Sequence, residues 1–265
     1  EFGSNWQRFA KELDEPRVEG AKRSMAASLG VESLRGLSFL DVGGGSGLHS
    51  LAARLLGARV HTFDYDPASV ECARALRDRY RPDDADWTIE QGSALDPDYL
   101  ARLGTFDVVY SWGVLHHTGE MWKALDLVAE RVKPGGRLFL ALYNDQGRWS
   151  RWWTLVKKTY VQSPPLGKKA IAATAIGYFE TRSAFGRLLR GESPLPFQAW
   201  EKRKADRGMS IWTDIVDWVG GYPFEVSKPE EIFDFYKARG YRLEHLKTCG
   251  AGFGCNEFVF VKEPA

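Results

Sequence analysis

Phe39-Leu-Asp41-Val-Gly43-Gly-Gly45-Ser-Gly47-Leu48 is the stretch that decides the fold of this chain. An apolar strand pattern runs directly into a glycine-rich turn, and a helical pattern up to Leu56 follows. A second strand pattern then ends on an acid, Asp64. Glycines after a strand let the backbone approach a ligand closely, and an acid ending the next strand can bind a ribose diol. The stretch therefore predicts an α/β fold with a nucleoside site at the edge of its sheet.

The spacing of the glycines distinguishes this turn from the usual dinucleotide-binding turn. The pattern G-x-G-x-x-G is not met, because Leu48 stands where a small residue belongs. The observed pattern is D-x-G-x-G-x-G, with Asp41 before the first glycine. This pattern resembles the first motif of the class I S-adenosylmethionine (SAM) methyltransferases.

Three later segments resemble the same family, in the same order. Gln91 to Asp96 resembles the loop after the third strand, Phe106 to His117 the fourth strand and its turn, and Val132 to Ala141 the turn into the fifth strand. The resemblance covers residues 36–143. It implies an α/β, Rossmann-like, seven-stranded and mostly parallel sheet with helices on both faces and an antiparallel last strand.

The resemblance implies SAM as the cofactor and S-adenosylhomocysteine as the product, with no metal ion. Asp64 is expected to hold both ribose hydroxyls, and Tyr65 to lie beside the adenine. Ser93 replaces the Asp that often meets the adenine amino group in this family, so recognition of adenine by backbone amides is an alternative to recognition by a side chain. For Asp66, an N-cap of the helix starting at Pro67 is preferred to a cofactor role. The residues expected to bind the cofactor are Asp41, Gly43, Gly45, Gly47, Asp64, Tyr65, Gly92, Ser93, Ala94 and Ser111.

Two histidines and a tyrosine are the candidate catalytic residues. His116 and His117 follow the fourth strand and Tyr143 ends the fifth, at the carboxyl edge where open α/β sheets bind ligands. A neutral imidazole can accept a proton from a hydroxyl group. Leu-His-His is also common in the resembling family among enzymes with unlike substrates. A structural role for at least one of the two histidines therefore stays open.

The patterns up to Tyr143 predict strands over 37–42, 59–64, 87–92, 106–111 and 137–143, and helices over 47–57, 67–80, 97–103 and 120–132. This alternation breaks after Tyr143 and resumes at Lys228. Residues 144–227 carry helical patterns and many aromatic residues, and no clear strand pattern. Between Asn144 and Arg207, 13 Lys and Arg stand against 5 Asp and Glu, a local excess of +8 in a chain of net charge +1. We expect a helical lid over the carboxyl edge, although the aromatic residues also suit a core of its own. The residues expected to bind the acceptor are Asn144, Trp149, Trp153, Tyr222 and Asn256.

The composition fits one α/β domain with an elaboration, since 44% of the 265 residues are hydrophobic. No apolar run reaches the ~18 residues of a membrane span, and the cysteines show no metal-like pairing. We expect a cytoplasmic enzyme with reduced thiols. We interpret residues 1–4 as an expression-vector remnant, 5–35 as an N-terminal helical cover, 36–143 as the SAM-binding core, 144–227 as the lid, and 228–265 as the last helix and an antiparallel hairpin.

The function favoured by these patterns is methyl transfer from SAM to a small molecule, at oxygen, with an anionic or aromatic acceptor. An RNA methyltransferase that uses the basic insertion stays open, although the pI of about 7.9 argues against a nucleic-acid partner. A non-catalytic SAM-binding module is the third alternative, and the intact glycine turn argues against it. The sequence leaves contact with a membrane surface and the oligomeric state undecided.

Overall fold

A computed structural model of the protein describes residues 13–195, 211–250 and 254–264. The strands are β1 (Ser38–Val42), β2 (Arg59–Asp64), β3 (Trp87–Gln91), β4 (Phe106–Trp112), β5 (Val132–Tyr143), β6 (Tyr241–Lys247) and β7 (Cys255–Lys262). The helices are α1 (Glu15–Leu29), α2 (Leu48–Leu55), α3 (Pro67–Tyr80), α4 (Pro97–Leu103), α5 (Met121–Ala129), α6 (Arg148–Gln162), α7 (Pro165–Leu189), α8 (Ile211–Gly220) and α9 (Pro229–Lys237). A short 3₁₀ turn lies at Leu115–His117.

The strands form one sheet in the order β3-β2-β1-β4-β5-β7-β6. The pairs β1–β2, β1–β4, β2–β3 and β4–β5 are parallel, and β7 is antiparallel to both β5 and β6. This confirms the expected mostly parallel sheet with an antiparallel last strand. The strand order reverses between β1 and β4, and ligands of such sheets bind outside the carboxyl ends at that point.

Side chains of consecutive residues on the inner strands pack on opposite faces of the sheet. On β1, Leu40 packs into one buried cluster with α5 and α9, whereas Phe39 packs into the other with α1, α2 and α3. On β4, Val109 and Val108 divide in the same way. Side chains alternate along a strand, so a parallel sheet covered on both faces needs continuous apolar strands.

Two expected elements differ from the observed ones. Helix α1 begins at Glu15, after Asp14, whose side chain accepts the Arg17 N–H at 3.1 Å. Its buried face, which includes Met25, joins the cluster with α2, so its described part is a layer of the core. The first residues of the expected helix, 5–12, lie outside the described residues. Strand β5 begins at Val132 rather than at residue 137, because its pairing with β4 shifts register between Phe106 and Val108.

The chain divides into two compact units, which are described separately: the core unit, residues 2–150 and 225–265, and the insertion unit, residues 151–224. In the insertion unit, Trp153 is buried, stacks on Phe179 at 5.3 Å between ring centroids, and meets the Trp218 ring edge-on at 4.6 Å. The insertion unit therefore has an aromatic core of its own. No described helix has both the length and the apolar character to cross a membrane.

Candidate active site

The glycine turn between β1 and α2 requires glycine for steric reasons. Gly43, Gly45 and Gly47 have φ of 77°, 54° and 81°, a region that side chains rarely adopt. A Cβ at Gly43 would lie 2.3 Å from Val114 Cγ1. The turn is held to β2 by the N–H of Gly43, which donates to Phe63 O at 2.9 Å. The backbone is therefore left bare where β1 leads into the N-terminus of α2, which fits the close approach of a cofactor.

Asp64, at the carboxyl end of β2, faces this turn. Its Oδ2 accepts the Gly45 N–H and its Oδ1 accepts the Asp66 N–H, each at 2.9 Å. Burial raises the pKa of this carboxyl group, and the two amides oppose the rise. Each carboxylate oxygen has a second lone pair, so both can still accept a ribose hydroxyl. The Asp66 side chain accepts the Ala68 N–H at 2.9 Å, which confirms Asp66 as the N-cap of α3.

The loop after β3 lies beside Asp64, because the N–H of Gly92 donates to Asp64 O at 3.0 Å. A Cβ at Gly92 would lie 2.3 Å from the Tyr99 ring, so this position, too, has no room for a side chain. The Ser93 hydroxyl accepts the Leu95 N–H at 3.2 Å, and Ala94 is buried. Ser93 thus shapes its own loop, which agrees with recognition of adenine by the backbone. Tyr65 is 77% exposed beside this loop, with its carbonyl bonded to Gln91.

Asp41 and Ser111 lie beneath the glycine turn. The Ser111 hydroxyl is buried and donates to Val42 O at 3.2 Å, so it ties β4 to β1. Asp41 is buried and accepts a short hydrogen bond from Ser50 Oγ on α2. Burial raises its pKa to about 7, and the Ser50 hydroxyl opposes the rise. Asp41 therefore fixes the start of the helix that follows the turn.

The hydrogen-bond chain that begins at Asp41 was not recognised from the sequence. Ser50 Oγ lies 2.6 Å from Thr62 Oγ1, which in turn accepts the Trp87 Nε1–H at 2.9 Å. Because Ser50 donates to Asp41, the Thr62 hydroxyl donates to Ser50. The available signal was Thr62, which the alternation of side chains along β2 places on the same face as the apolar Val60, since buried polar groups need partners.

His116, His117 and Tyr143 are brought together at the carboxyl ends of β4 and β5. The His116 ring lies 4.1 Å from the Tyr143 ring and 4.4 Å from the His117 ring, between centroids. The His116 side chain is fully buried, and its Nδ1 accepts the Tyr143 N–H at 3.3 Å. An accepting nitrogen carries no proton, so this contact favours a positioning role for His116. His117 and Tyr143 are half-buried.

Glu225 is a second residue that the sequence did not single out for a role. Its N–H donates to His116 O at 2.9 Å, and its carboxylate accepts the Met121 N–H at 3.0 Å. Burial raises the pKa of this carboxyl group, opposed by the amides of Met121 and Gly119. Glu225 thereby holds the 3₁₀ turn that carries the histidines. Nothing local in the sequence marks it, because its partners lie about a hundred positions away.

Asn144 and Asn256 form a polar cluster where β5 and β7 pair. Asn256 is buried, its Nδ2 donates to Asn144 Oδ1 at 3.0 Å, and its Oδ1 accepts the Cys249 N–H at 3.1 Å. Asn144 Nδ2 donates to Gly250 O at 3.2 Å. The two amides hold the connection between β6 and β7 against the end of β5, so their observed contacts are structural.

The remaining acceptor candidates do not share one environment. Trp149 is 45% exposed, and Tyr222 is half-buried. Trp153 is 1% exposed within the aromatic core of the insertion unit, so it binds an acceptor only if that core opens.

His49, which is not among these candidates, packs against the Tyr110 ring at 5.1 Å between centroids, and burial lowers the pKa of His49 to about 4. Among the residues that the structure describes, no three His, Cys, Asp or Glu side chains are grouped to hold a metal ion.

Residues 40–138 match the family model described as a methyltransferase domain. A ubiquinone biosynthesis O-methyltransferase of Methylobacterium sp. (strain 4-46) is 33% identical over 122 residues, which are 44% of this chain and 45% of that protein. The chain thus spans about half the length of the curated relatives it matches.

Two solved structures share the fold. Magnesium protoporphyrin IX methyltransferase from Synechocystis PCC 6803, solved with bound S-adenosylhomocysteine, superimposes with a TM-score of 0.54 at 16% identity, over 97% of this chain and 86% of that one. An O-methyltransferase family protein from Burkholderia thailandensis gives 0.55 at 13% identity, over 100% of this chain and 59% of that one. Residues 40–138 are thus a methyltransferase domain, and the chain has the fold of these two methyltransferases.

Proposed function

We propose that this chain methylates a hydroxyl oxygen of a small acceptor that carries an aromatic ring or an anionic group. The observation that carries the proposal is the bare glycine turn beside Asp64, which suits a nucleoside cofactor. SAM carries its methyl group on a sulfonium, which leaves as a neutral thioether when the methyl group is transferred. The protein therefore has mainly to position the two reactants, exclude water and accept the proton of the acceptor.

The backbone from Gly43 to Gly47 and the carboxylate of Asp64 bind and orient the cofactor in this proposal. The most direct test is Asp64→Ala, which removes charge-assisted hydrogen bonds and should weaken SAM binding by roughly 1.5–3 kcal/mol in calorimetry. Asp66→Ala is the matched control, because it removes a nearby carboxylate whose contact is the helix cap. It should cost about 1 kcal/mol of folding stability and leave the affinity for SAM unchanged. Equal affinities of both variants and the parent chain would remove Asp64 from the site.

The proton of the acceptor hydroxyl passes to His117 Nε2 or Nδ1 in this proposal, with Tyr143 beside it. Three features support this choice: His117 is half-buried, its ring lies 5.6 Å from the Tyr143 ring, and the two residues lie at the carboxyl ends of β4 and β5. His116 positions the pair, because its Nδ1 holds the backbone of Tyr143. The methylated oxygen loses its proton as the carbon–oxygen bond forms, and the histidine later returns that proton to water.

The acceptor class is inferred from the insertion and from the relatives. Both ends of the insertion meet at the end of β5, where Asn144 pairs with Ser227 in an isolated bridge. Residues 144–207 of the insertion carry a local excess of +8 in a chain of net charge +1, and several relatives have names that state O-methylation in ubiquinone biosynthesis. The aromatic rings and the cations of the insertion suit a phenol, a carboxylate or a phosphate as the acceptor.

The acceptor class is tested by turnover of SAM with panels of phenols, carboxylates and phosphate esters. For an anionic acceptor, KM should rise with salt, because exposed charges are screened beyond ~8 Å at physiological ionic strength. The affinity for SAM should change much less. Methyl incorporation into bulk tRNA, with none into any small molecule, would replace this proposal with the RNA alternative.

A further inference from the structure

Independently of the acceptor, we propose that the insertion unit docks on an anionic lipid bilayer through an apolar–basic surface on α6 and the start of α7. We define this surface as Arg151, Trp152, Leu155, Lys158, Leu166 and Lys169. The proposal is separate from the methyl-transfer proposal, and neither depends on the other.

Helix α6 has a buried side and an exposed side of different character. The buried side holds Trp153, Lys157 and Tyr160. Arg151, Leu155 and Lys158 recur at intervals of three and four residues, so they share the opposite face. All three are exposed, with 62% for Leu155, and the adjoining Trp152 is 46% exposed. The outer face of α6 thus alternates cations with large apolar side chains.

The surface continues beyond the corner between α6 and α7. Leu166 is 80% exposed, and Lys169, one turn further on, is also exposed. Lys168 Nζ lies 5.6 Å from the centroid of the Tyr160 ring, which ties the corner to α6. Exposed leucine and tryptophan flanked by lysine and arginine are typical of helices that lie in a membrane interface. The long basic side chains keep their charges at the headgroups while the apolar side chains enter the acyl region.

Charge favours an anionic bilayer over the other occupants of such a surface. Residues 146–179 contain six Lys and Arg and no Asp or Glu. A second copy of the chain, docked by the same face, would bring like charges together, since a two-fold interface opposes identical patches. Nucleic acid would be attracted by the cations, but it offers nothing for exposed Leu155 and Leu166 to bury against. An anionic lipid surface satisfies both parts of the pattern.

The test uses the whole chain and sedimentation with vesicles of phosphatidylcholine containing about 30% phosphatidylglycerol, a surface that attracts basic segments. The parent chain should bind these vesicles, bind pure phosphatidylcholine much less, and be released by salt. Lys158→Glu with Lys169→Glu should weaken binding at least about 25-fold, at about fivefold for each cation removed. The matched control is Arg23→Glu with Arg35→Glu, which makes the same change in net charge at exposed positions of the core unit. This control should bind almost as the parent does.

The apolar contribution is tested separately. Leu155→Ser with Leu166→Ser should weaken vesicle binding about tenfold or more, because both leucines lose their buried state in the membrane. Leu246→Ser is the control, since Leu246 is a 40% exposed leucine of β6 in the core unit. Circular dichroism should show that every variant is folded. The proposal is overturned if the parent chain does not bind anionic vesicles, or if neither the double lysine variant nor the double leucine variant binds them less than the parent does. It is also overturned if the parent chain is a dimer that one of these two variants dissociates, because the surface would then belong to a second copy.

Discussion

The core unit and the insertion unit place their large apolar side chains differently. In the core unit, the strands alternate between two faces, and Phe39 and Leu40 are each completely buried. In the insertion unit, Trp153 is buried against Phe179, but Leu155, Leu166 and Phe185 are more than half exposed. A sheet covered on both faces has buried positions for every strand residue, whereas a helix that packs on one side has few. The inner strands of the core unit are thus buried on both faces, whereas α6 and α7 of the insertion unit present apolar surface.

The buried polar residues of the two units also make different contacts. Asp41 and Ser50 lie within a hydrogen-bond chain that crosses four elements of the core unit, from β1 through α2 and β2 to β3. In the insertion unit, Lys157 is buried, its Nζ bonds to Trp218 O, and it lies 4.0 Å from the centroid of the Trp218 ring. The core unit thus fixes the backbone of the glycine turn, whereas in the insertion unit Lys157 joins α6 to α8. Four predictions test this division of roles.

The largest expected effect is on the chemistry that we assign to the core unit. His117→Ala should lower turnover by roughly 10²–10⁴ with the affinity for SAM retained, because a general base is removed. His116→Ala should mainly lower the stability and raise KM, because it removes the acceptor for the Tyr143 N–H. The measurement is kcat and KM for both variants, with a pH profile of kcat. Near-normal turnover in His117→Ala would leave positioning and desolvation as the whole mechanism.

The next effect is on the glycine turn. Gly43→Ala should weaken SAM binding at least about 100-fold, because positive φ costs about 1–2 kcal/mol and the new Cβ meets Val114. Gly30→Ala is the matched control: its φ is 64°, but nothing lies within 4 Å of the new Cβ. It should lower stability by a similar strain and keep the affinity for SAM. Calorimetry on both variants makes the comparison. Comparable losses of affinity would show that strain, rather than the contact with Val114, limits the turn.

A third effect should be confined to the insertion unit. Lys157→Met keeps the length of the side chain but removes the bond to Trp218 O and the cation–π contacts with Trp218 and Phe224. It should destabilise this unit by about 1–3 kcal/mol and leave the affinity for SAM unchanged. Lys158→Met, at the exposed neighbouring position, should change stability by less than about 0.5 kcal/mol. Hydrogen exchange of α6 and α7 gives the measurement. A loss of SAM affinity in Lys157→Met would contradict the independence of the two units.

The smallest effect concerns Asp41. Burial raises its folded-state pKa from 3.8 to about 7, so the folded protein holds this proton where the unfolded chain has lost it. The free energy of unfolding therefore falls as pH rises between these two values, by about 1 kcal/mol from pH 5 to pH 6. Asp41→Asn removes this contribution and can still accept from Ser50, so its stability relative to the parent should rise over the same interval. Chemical denaturation at both pH values measures the difference, and an unchanged difference would contradict a neutral Asp41.

Much of the core unit could be predicted from the sequence because its signals are local. The bounds of β2, α3 and α4 are those expected, since a helix cap or a proline marks where each helix begins. The glycine turn could be recognised because its positive φ angles favour glycine, and Asp64 because it ends the next strand pattern. The early start of β5 was missed, because a register shift against β4 is decided by the pairing of two strands.

What the sequence by itself determined about this protein is the class of its fold, the glycine turn after its first strand, and the presence of a basic helical insertion. These depend on period, turn chemistry and composition, which are properties of neighbouring residues. Only the tertiary structure decided that His116 holds the backbone of Tyr143, that Glu225 holds the turn with the histidines, and that Trp153 is buried while Leu155 is exposed. The physical reason is that hydrogen bonds and burial depend on partners far away along the chain, and no local pattern specifies which partner the fold brings near.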